Sequence, residues 1–358
     1  MLDSKAEQSG RGGDNGIQNS HRDDDPPIGP VDGLGVGTGF MVVGTGFNRH
    51  GGFATNPIEP SRGNPSAGIV AEDDVRKRHE RIVRGRHLHR RITRSNRENF
   101  VVTSLLVPRK FRAAMDDIYA FCRTADDFAD ASPDRIAATA NLNRLRDELA
   151  ATAAGRPPTD SMAALHDTAI THRLDPKPFD DLIDAFLQDQ SKCEYQTDAE
   201  LLDYCRRSAD PVGRILLRMV DADDDANLRR SDAICTGLQL TNFWQDIRRD
   251  LALPRLYVPA ERYRAAGLDR TDFVSGPTPA VTRALVRELV DWADACFDRG
   301  EGLDRDVPRW LGRSVRMFVA GGRATLAAIR RIDYDVLQTR PTISKARKLS
   351  MIARQWFA

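Results

Sequence analysis

From Asn99 to the C-terminus the apolar positions recur at helical spacing and nowhere alternate as strands do. Met115, Ile118, Tyr119 and Cys122 stand at i, i+3, i+4 and i+7, one stripe on a helix expected over 111–131. Ser132-Pro133 ends it, and a second helix is expected over 136–153, closed by the Gly155-Arg-Pro-Pro158 turn. Helices over 161–172, 178–190 and 200–219 follow. In the last of these, Asp210-Pro211-Val-Gly213 must kink or unwind the backbone, because proline lacks an N–H and crowds the preceding turn. A helix over 231–251 leads into a loop over 252–279 with four prolines. Two long helices near 279–303 and 308–338, and a short one after Pro341, complete the chain. The expected fold is all-α, with a single domain from about residue 96 to 358.

The first 75 residues are a different material, dominated by Gly, Asp, Asn, Pro and Ser. Val-Gly-Thr-Gly-Phe occurs there twice, at 36–40 and 43–47. It lacks the G-x-G-x-x-G spacing and the strand and helix of a dinucleotide site. Residues 1–75 are therefore expected to be a disordered extension. Residues 76–95 read as a basic linker or solvated helix face, rich in Arg and His without carboxylate or thiol company at ligand spacing.

Composition narrows the class. A net charge of +1 excludes a globally basic nucleic-acid binder, and no nucleic-acid partner is expected. The five cysteines are scattered with no C-x-x-C pair, which suits reduced thiols. No run of 18 apolar residues occurs, so nothing is expected to span a membrane, and the expected location is the cytoplasm.

Two stretches carry candidate chemistry. In the helix around residue 240, Gln239, Asn242, Asp246 and Asp250 step by three, four and four and share one face. Upstream, Tyr119, Arg123, Asp126 and Asp130 step by four, three and four and share another, with Asp127 about a hundred degrees away. Carboxylates one turn apart repel unless a cation lies between them. One D-x-x-x-D is commonly a solvated surface, but two on separate helices of an all-α chain suit Mg²⁺, which keeps some water and is completed by substrate phosphates. Two or three such ions could hold a diphosphate and neutralise it as a leaving group. The resulting carbocation would need a dry apolar cavity, for which Phe100, Phe121, Phe186, Phe243 and Trp244 are candidate walls.

These residues and their neighbours resemble the squalene/phytoene synthase family. The matching pieces are Tyr119-Ala-Phe-Cys-Arg-Thr-Ala-Asp-Asp-x-x-Asp130, Tyr204-Cys-Arg-Arg-Ser-Ala-x-Pro-Val-Gly213, Gln239-x-x-Asn242-x-x-Gln-Asp246-x-x-x-Asp250 and Arg255-Leu-Tyr257-Val-Pro259. The resemblance implies a class I isoprenoid synthase bundle around a central cavity. It assigns Asp126, Asp130, Asp246 and Asp250 to catalysis and, with Asn242, to Mg²⁺. It places Arg97, Glu98, Asn99, Tyr119, Arg123, Gln239 and Gln245 against a prenyl diphosphate substrate.

Departures narrow the resemblance. Many members carry arginine where Gln245 stands, tyrosine at Arg206 and glycine at Pro211. With Glu98-Asn-Phe100 and Phe318-Val-Ala-Gly-Gly322, these resemble the bacterial hopanoid-pathway branch of hydroxysqualene synthase type. There presqualene diphosphate loses diphosphate, the cyclopropyl cation rearranges and water captures it; NADPH is not expected. The alternatives are a synthase condensing two farnesyl or geranylgeranyl diphosphates, or a non-catalytic helical assembly factor, against which both aspartate pairs are complete. Oily substrates are compatible with peripheral contact at the inner face of the membrane, through 76–97 or 344–348.

Overall fold

The computed structural model describes residues 65–95, 107–253, 255–274 and 276–343. It is a helical bundle, with α1 (Pro65–Ser95), α2 (Arg109–Asp130), α3 (Arg135–Ala153), α4 (Asp160–His172), α5 (Lys177–Asp189) and α6 (Asp198–Ser208). There follow α7 (Pro211–Met219), α8 (Asp225–Ala252), α9 (Ala260–Ala265), α10 (Ala280–Arg299), α11 (Leu303–Asp306) and α12 (Arg309–Arg331). Among the described residues there is no sheet, only an isolated parallel bridge between Glu194 and Leu256.

Local chemistry sets the helix ends. The side chains of Asp134, Thr159, Thr197 and Asp224 each accept a hydrogen bond from a first-turn amide, starting α3, α4, α6 and α8. The break expected near residue 210 is real: α6 stops at Ser208 and α7 restarts with Pro211 in its first turn. The last long helix ends at Arg331, earlier than expected, because Asp333 and Tyr334 take left-handed φ of 50° and 59°. The chain beyond them turns back as a non-helical strap. The short helix expected after Pro341 falls mostly outside the described residues.

Residues 76–95 are not a linker, and the helix they belong to begins inside the stretch assigned to the extension. α1 packs on α2 and α4 through Ile82, Gly85, His89 and Thr93. A Cβ on Gly85 would sit 2.1 Å from the Asp160 carbonyl oxygen, so only glycine permits this approach. Buried His89 joins Asp117 (Nδ1 to Oδ1, 2.6 Å) and Ser161 (Nε2 to Oγ, 2.7 Å), and Thr168 donates to Asp117 at 2.6 Å. That polar string ties α1, α2 and α4 together. Because these contacts are polar or glycine-mediated, the segment lacks the apolar stripe that would announce a core helix.

Two apolar clusters form the interior. One gathers α2 to α5 with α7, around Ile118, Leu142, Leu165, Phe179 and Ile183. The other gathers α6 and α8 to α12, around Leu240, Trp244, Val286, Leu289 and Ile329. Trp310 packs against both. α8 approaches α10 closely at Gly237, where a Cβ would meet Cys296 and Ala293 at 3.0 to 3.1 Å. The two helices carrying aspartate pairs, α2 and α8, belong to different clusters. The seam between the clusters is where the site lies.

Candidate active site

On α2, Arg123 donates from Nη1 to Asp126 at 2.9 Å and pairs through Nη2 with Asp127 at 2.5 Å. Asp126 is buried and Asp130, one turn on, is exposed at the helix end. Tyr119 is buried on the same face, and burial pushes its hydroxyl pKa up. On α8, Gln239 and Asp250 are buried, while Asn242 and Asp246 are half-buried. Burial and the charge of Asp246 one turn away push Asp250 up to about 8. Both helical faces deduced from spacing are therefore present.

A residue that spacing did not reveal lies electrostatically between the two faces. Asp189, at the end of α5, is buried and accepts from the Tyr204 hydroxyl at 2.6 Å and the Tyr257 hydroxyl at 3.4 Å. Burial pushes its carboxyl up to about 6, against the opposing charge of Arg255. Asp189 feels Asp130 on one side and is felt by Asp250 on the other. Arg255 in turn feels both Asp189 and Asp130. Thus Asp130, Asp189, Arg255 and Asp250 form one electrostatic chain across the seam. The sequence hint was an acid closing an amphipathic helix, with Tyr204 and Arg255 already in shared motifs.

Gln245 does not stand free at the mouth. Its Nε2 donates to the Pro341 carbonyl oxygen at 2.7 Å. The next residue of α8, Asp246, is gripped by Arg340 through two hydrogen bonds of 2.6 and 3.1 Å. Arg97, Glu98 and Asn99, expected against substrate, lie outside the described residues, as does Phe100. The other expected cavity walls serve packing. Phe243 stacks on Tyr257 at 3.9 Å, Phe121 meets Phe179 edge-on at 5.1 Å, and Trp244 is fully buried. Phe186 packs half-buried against the first cluster. A small apolar pocket lies among α7, α8, α11 and α12, lined by Gly213, Leu216, Ile234, Cys235, Leu311 and Val315.

Among the described residues no three His, Cys, Asp or Glu side chains converge as a ready metal cage. The donor set on the two faces is carboxylate and amide oxygen, the hard-ligand type that Mg²⁺ takes. Two buried polar atoms, the donor Arg123 Nε and the acceptor Gln239 Oε1, have no hydrogen-bond partner among the described residues, and each lies on an aspartate-bearing face. A polar ligand would satisfy both.

A helical bundle with one aspartate pair in each half, meeting across a seam, defines a class I isoprenoid synthase. The description "Squalene/phytoene synthase" matches residues 93–347, and the chain belongs to that family. It is 36% identical over 237 residues to a hydroxysqualene synthase of Zymomonas mobilis, covering 61% of this chain and 77% of the relative. To a 15-cis-phytoene synthase of Synechocystis sp. it is 29% identical over 283 residues, covering 75% and 83%. Squalene synthase HpnC from Alicyclobacillus acidocaldarius superposes with a TM-score of 0.66 at 41% identity, covering 71% of this chain and 96% of that one.

Proposed function

We propose that this chain is a Mg²⁺-dependent enzyme that ionises presqualene diphosphate and lets water capture the rearranged cation, giving hydroxysqualene and diphosphate. The observation that carries this reading is the two complete aspartate pairs, one from each half of the bundle, joined through Asp189. Asp126, Asp130, Asp246 and Asp250 would hold Mg²⁺, which would supply positive charge against the leaving diphosphate. Arg123 holds the diphosphate, donating its open Nε–H to it, and Gln239 touches the substrate from α8. Asn242, Asp246 and Asp250 complete the metal face of α8.

The narrower product is supported by the hydroxysqualene synthase relatives. The phytoene synthase relative favours a second reading, condensation of two prenyl diphosphates. Incubating the purified protein separately with farnesyl diphosphate and with presqualene diphosphate, with products read by mass, separates them. Hydroxysqualene from presqualene diphosphate alone is expected; a C30 product from farnesyl diphosphate alone would replace this reading by the second.

The proposal places the enzyme at a membrane surface reversibly. No described helix is long and apolar enough to cross a membrane. α1 turns exposed Val83, Leu88, Arg91 and Arg94 outward, with no acidic residue between Arg81 and Ser95. Basic residues around apolar ones suit anionic lipid. Since α1 belongs to the packed bundle, point changes are the proper probe. The Arg91→Glu/Arg94→Glu variant is expected to lose flotation with anionic vesicles; undiminished flotation would clear α1 of that role.

A further inference from the structure

The strap that follows α12 crosses α8 at the turn carrying Asp246. Three contacts hold it there. Gln245 donates from Nε2 to the Pro341 carbonyl oxygen at 2.7 Å, and Arg248 donates from Nη1 to the Gln338 carbonyl oxygen at 2.5 Å. Between these anchors, Arg340 places its guanidinium fork on both carboxylate oxygens of Asp246, at 2.6 and 3.1 Å. Arg249 adds a weaker contact to the same carboxylate at 3.7 Å.

We propose that residues 338–341 are a counter-ion strap, in which Arg340 occupies Asp246 in place of a metal ion and Gln245 is the positioning residue that keeps it there. A carboxylate engaged on both oxygens by a planar guanidinium has little capacity left for a hard cation. Metal loading on α8 therefore requires the pair to open. The released guanidinium then needs an anion, and the diphosphate arriving with the metal supplies one. The exchange balances charge: the guanidinium passes from carboxylate to diphosphate, and the carboxylate passes from guanidinium to Mg²⁺. Metal and diphosphate thus load together, and neither binds well alone. Asp126 instead pairs with Arg123 of its own helix, one turn away. The arrangement also gives Gln245 a role distinct from touching substrate, since its amide is spent on the strap.

This inference rests on the proposed reading of the aspartates as metal ligands, and calorimetry separates the two. Mg²⁺ is titrated into the full chain with and without inorganic pyrophosphate, for the wild type, Arg340→Gln and Gln245→Ala. Arg340 is half exposed, so its loss leaves the fold intact, which a circular-dichroism melt verifies. Wild-type protein is expected to bind Mg²⁺ weakly alone and tightly with pyrophosphate. Arg340→Gln should bind Mg²⁺ alone about 1.5- to fivefold more tightly, the range an ion pair of this exposure commands. Gln245→Ala should shift the same way by less, and Arg340→Lys should fall between because it lacks the fork. Equal Mg²⁺ affinity in wild type and Arg340→Gln would overturn the strap while leaving the functional reading standing. No Mg²⁺ binding to any form, even with pyrophosphate, would overturn both.

Discussion

Asp189 is the residue on which the two aspartate faces converge. Its carboxylate is buried, held by Tyr204 and Tyr257, and countered by Arg255. Changing Asp189→Asn keeps the shape and the Tyr204 hydrogen bond but removes the charge between the pairs. Turnover is expected to fall about 10- to 100-fold, as when a partner behind a metal ligand is changed, with little change in melting temperature. Full turnover would confine Asp189 to packing. Its titration also has a sign. Asp189 at about 6 and Asp250 at about 8 both lie above the ordinary value of 3.8. The folded state therefore binds more protons than the unfolded chain as pH rises past 3.8, and stability falls until both groups have ionised. Melts in a metal-chelating buffer should show the melting temperature dropping between pH 5 and pH 8.5. A rise over that window would show that these two groups do not govern it. The aspartate pairs themselves were legible, since a step of four on a helix fixes a shared face whatever surrounds it. Asp189 and Arg340 were not. One closes a helix that reads as ordinary amphipathic packing, and the other reaches Asp246 from 94 residues away through a non-helical segment.

Most elements followed from period and punctuation. The helices bearing the pairs begin and end within a few residues of their expected limits, apart from an earlier start for α8 at Asp225. α1 was misread because its buried side consists of Ile82, Gly85, His89 and Thr93 rather than a leucine row. Contacts of that kind have no periodic signature, yet they hold the helix firmly. Gly85→Ala is expected to cost about 1–3 kcal/mol, since its new methyl overlaps the Asp160 carbonyl. Asp117→Ala should cost about 1–3 kcal/mol, by leaving His89 Nδ1 and the Thr168 hydroxyl without their buried acceptor. Urea denaturation reads both. A loss below about 0.5 kcal/mol in either, the range of an ordinary surface change, would mean α1 is only loosely docked.

The whole molecule is two apolar clusters whose seam is lined by charge. Family membership, the helical architecture and the aspartate helices could be read from motifs in order along the chain. The division into two halves could not, because it depends on which helices pack together, not on any one helix. That division gives the proposed site its logic: each half contributes one aspartate pair, so under the proposed function both are needed for diphosphate to leave. Diphosphate release from presqualene diphosphate, measured in Asp126→Ala and Asp246→Ala with circular dichroism confirming the helical fold, tests this most directly. Release is expected to vanish in each variant separately; near-normal release in either one would contradict the two-sided site.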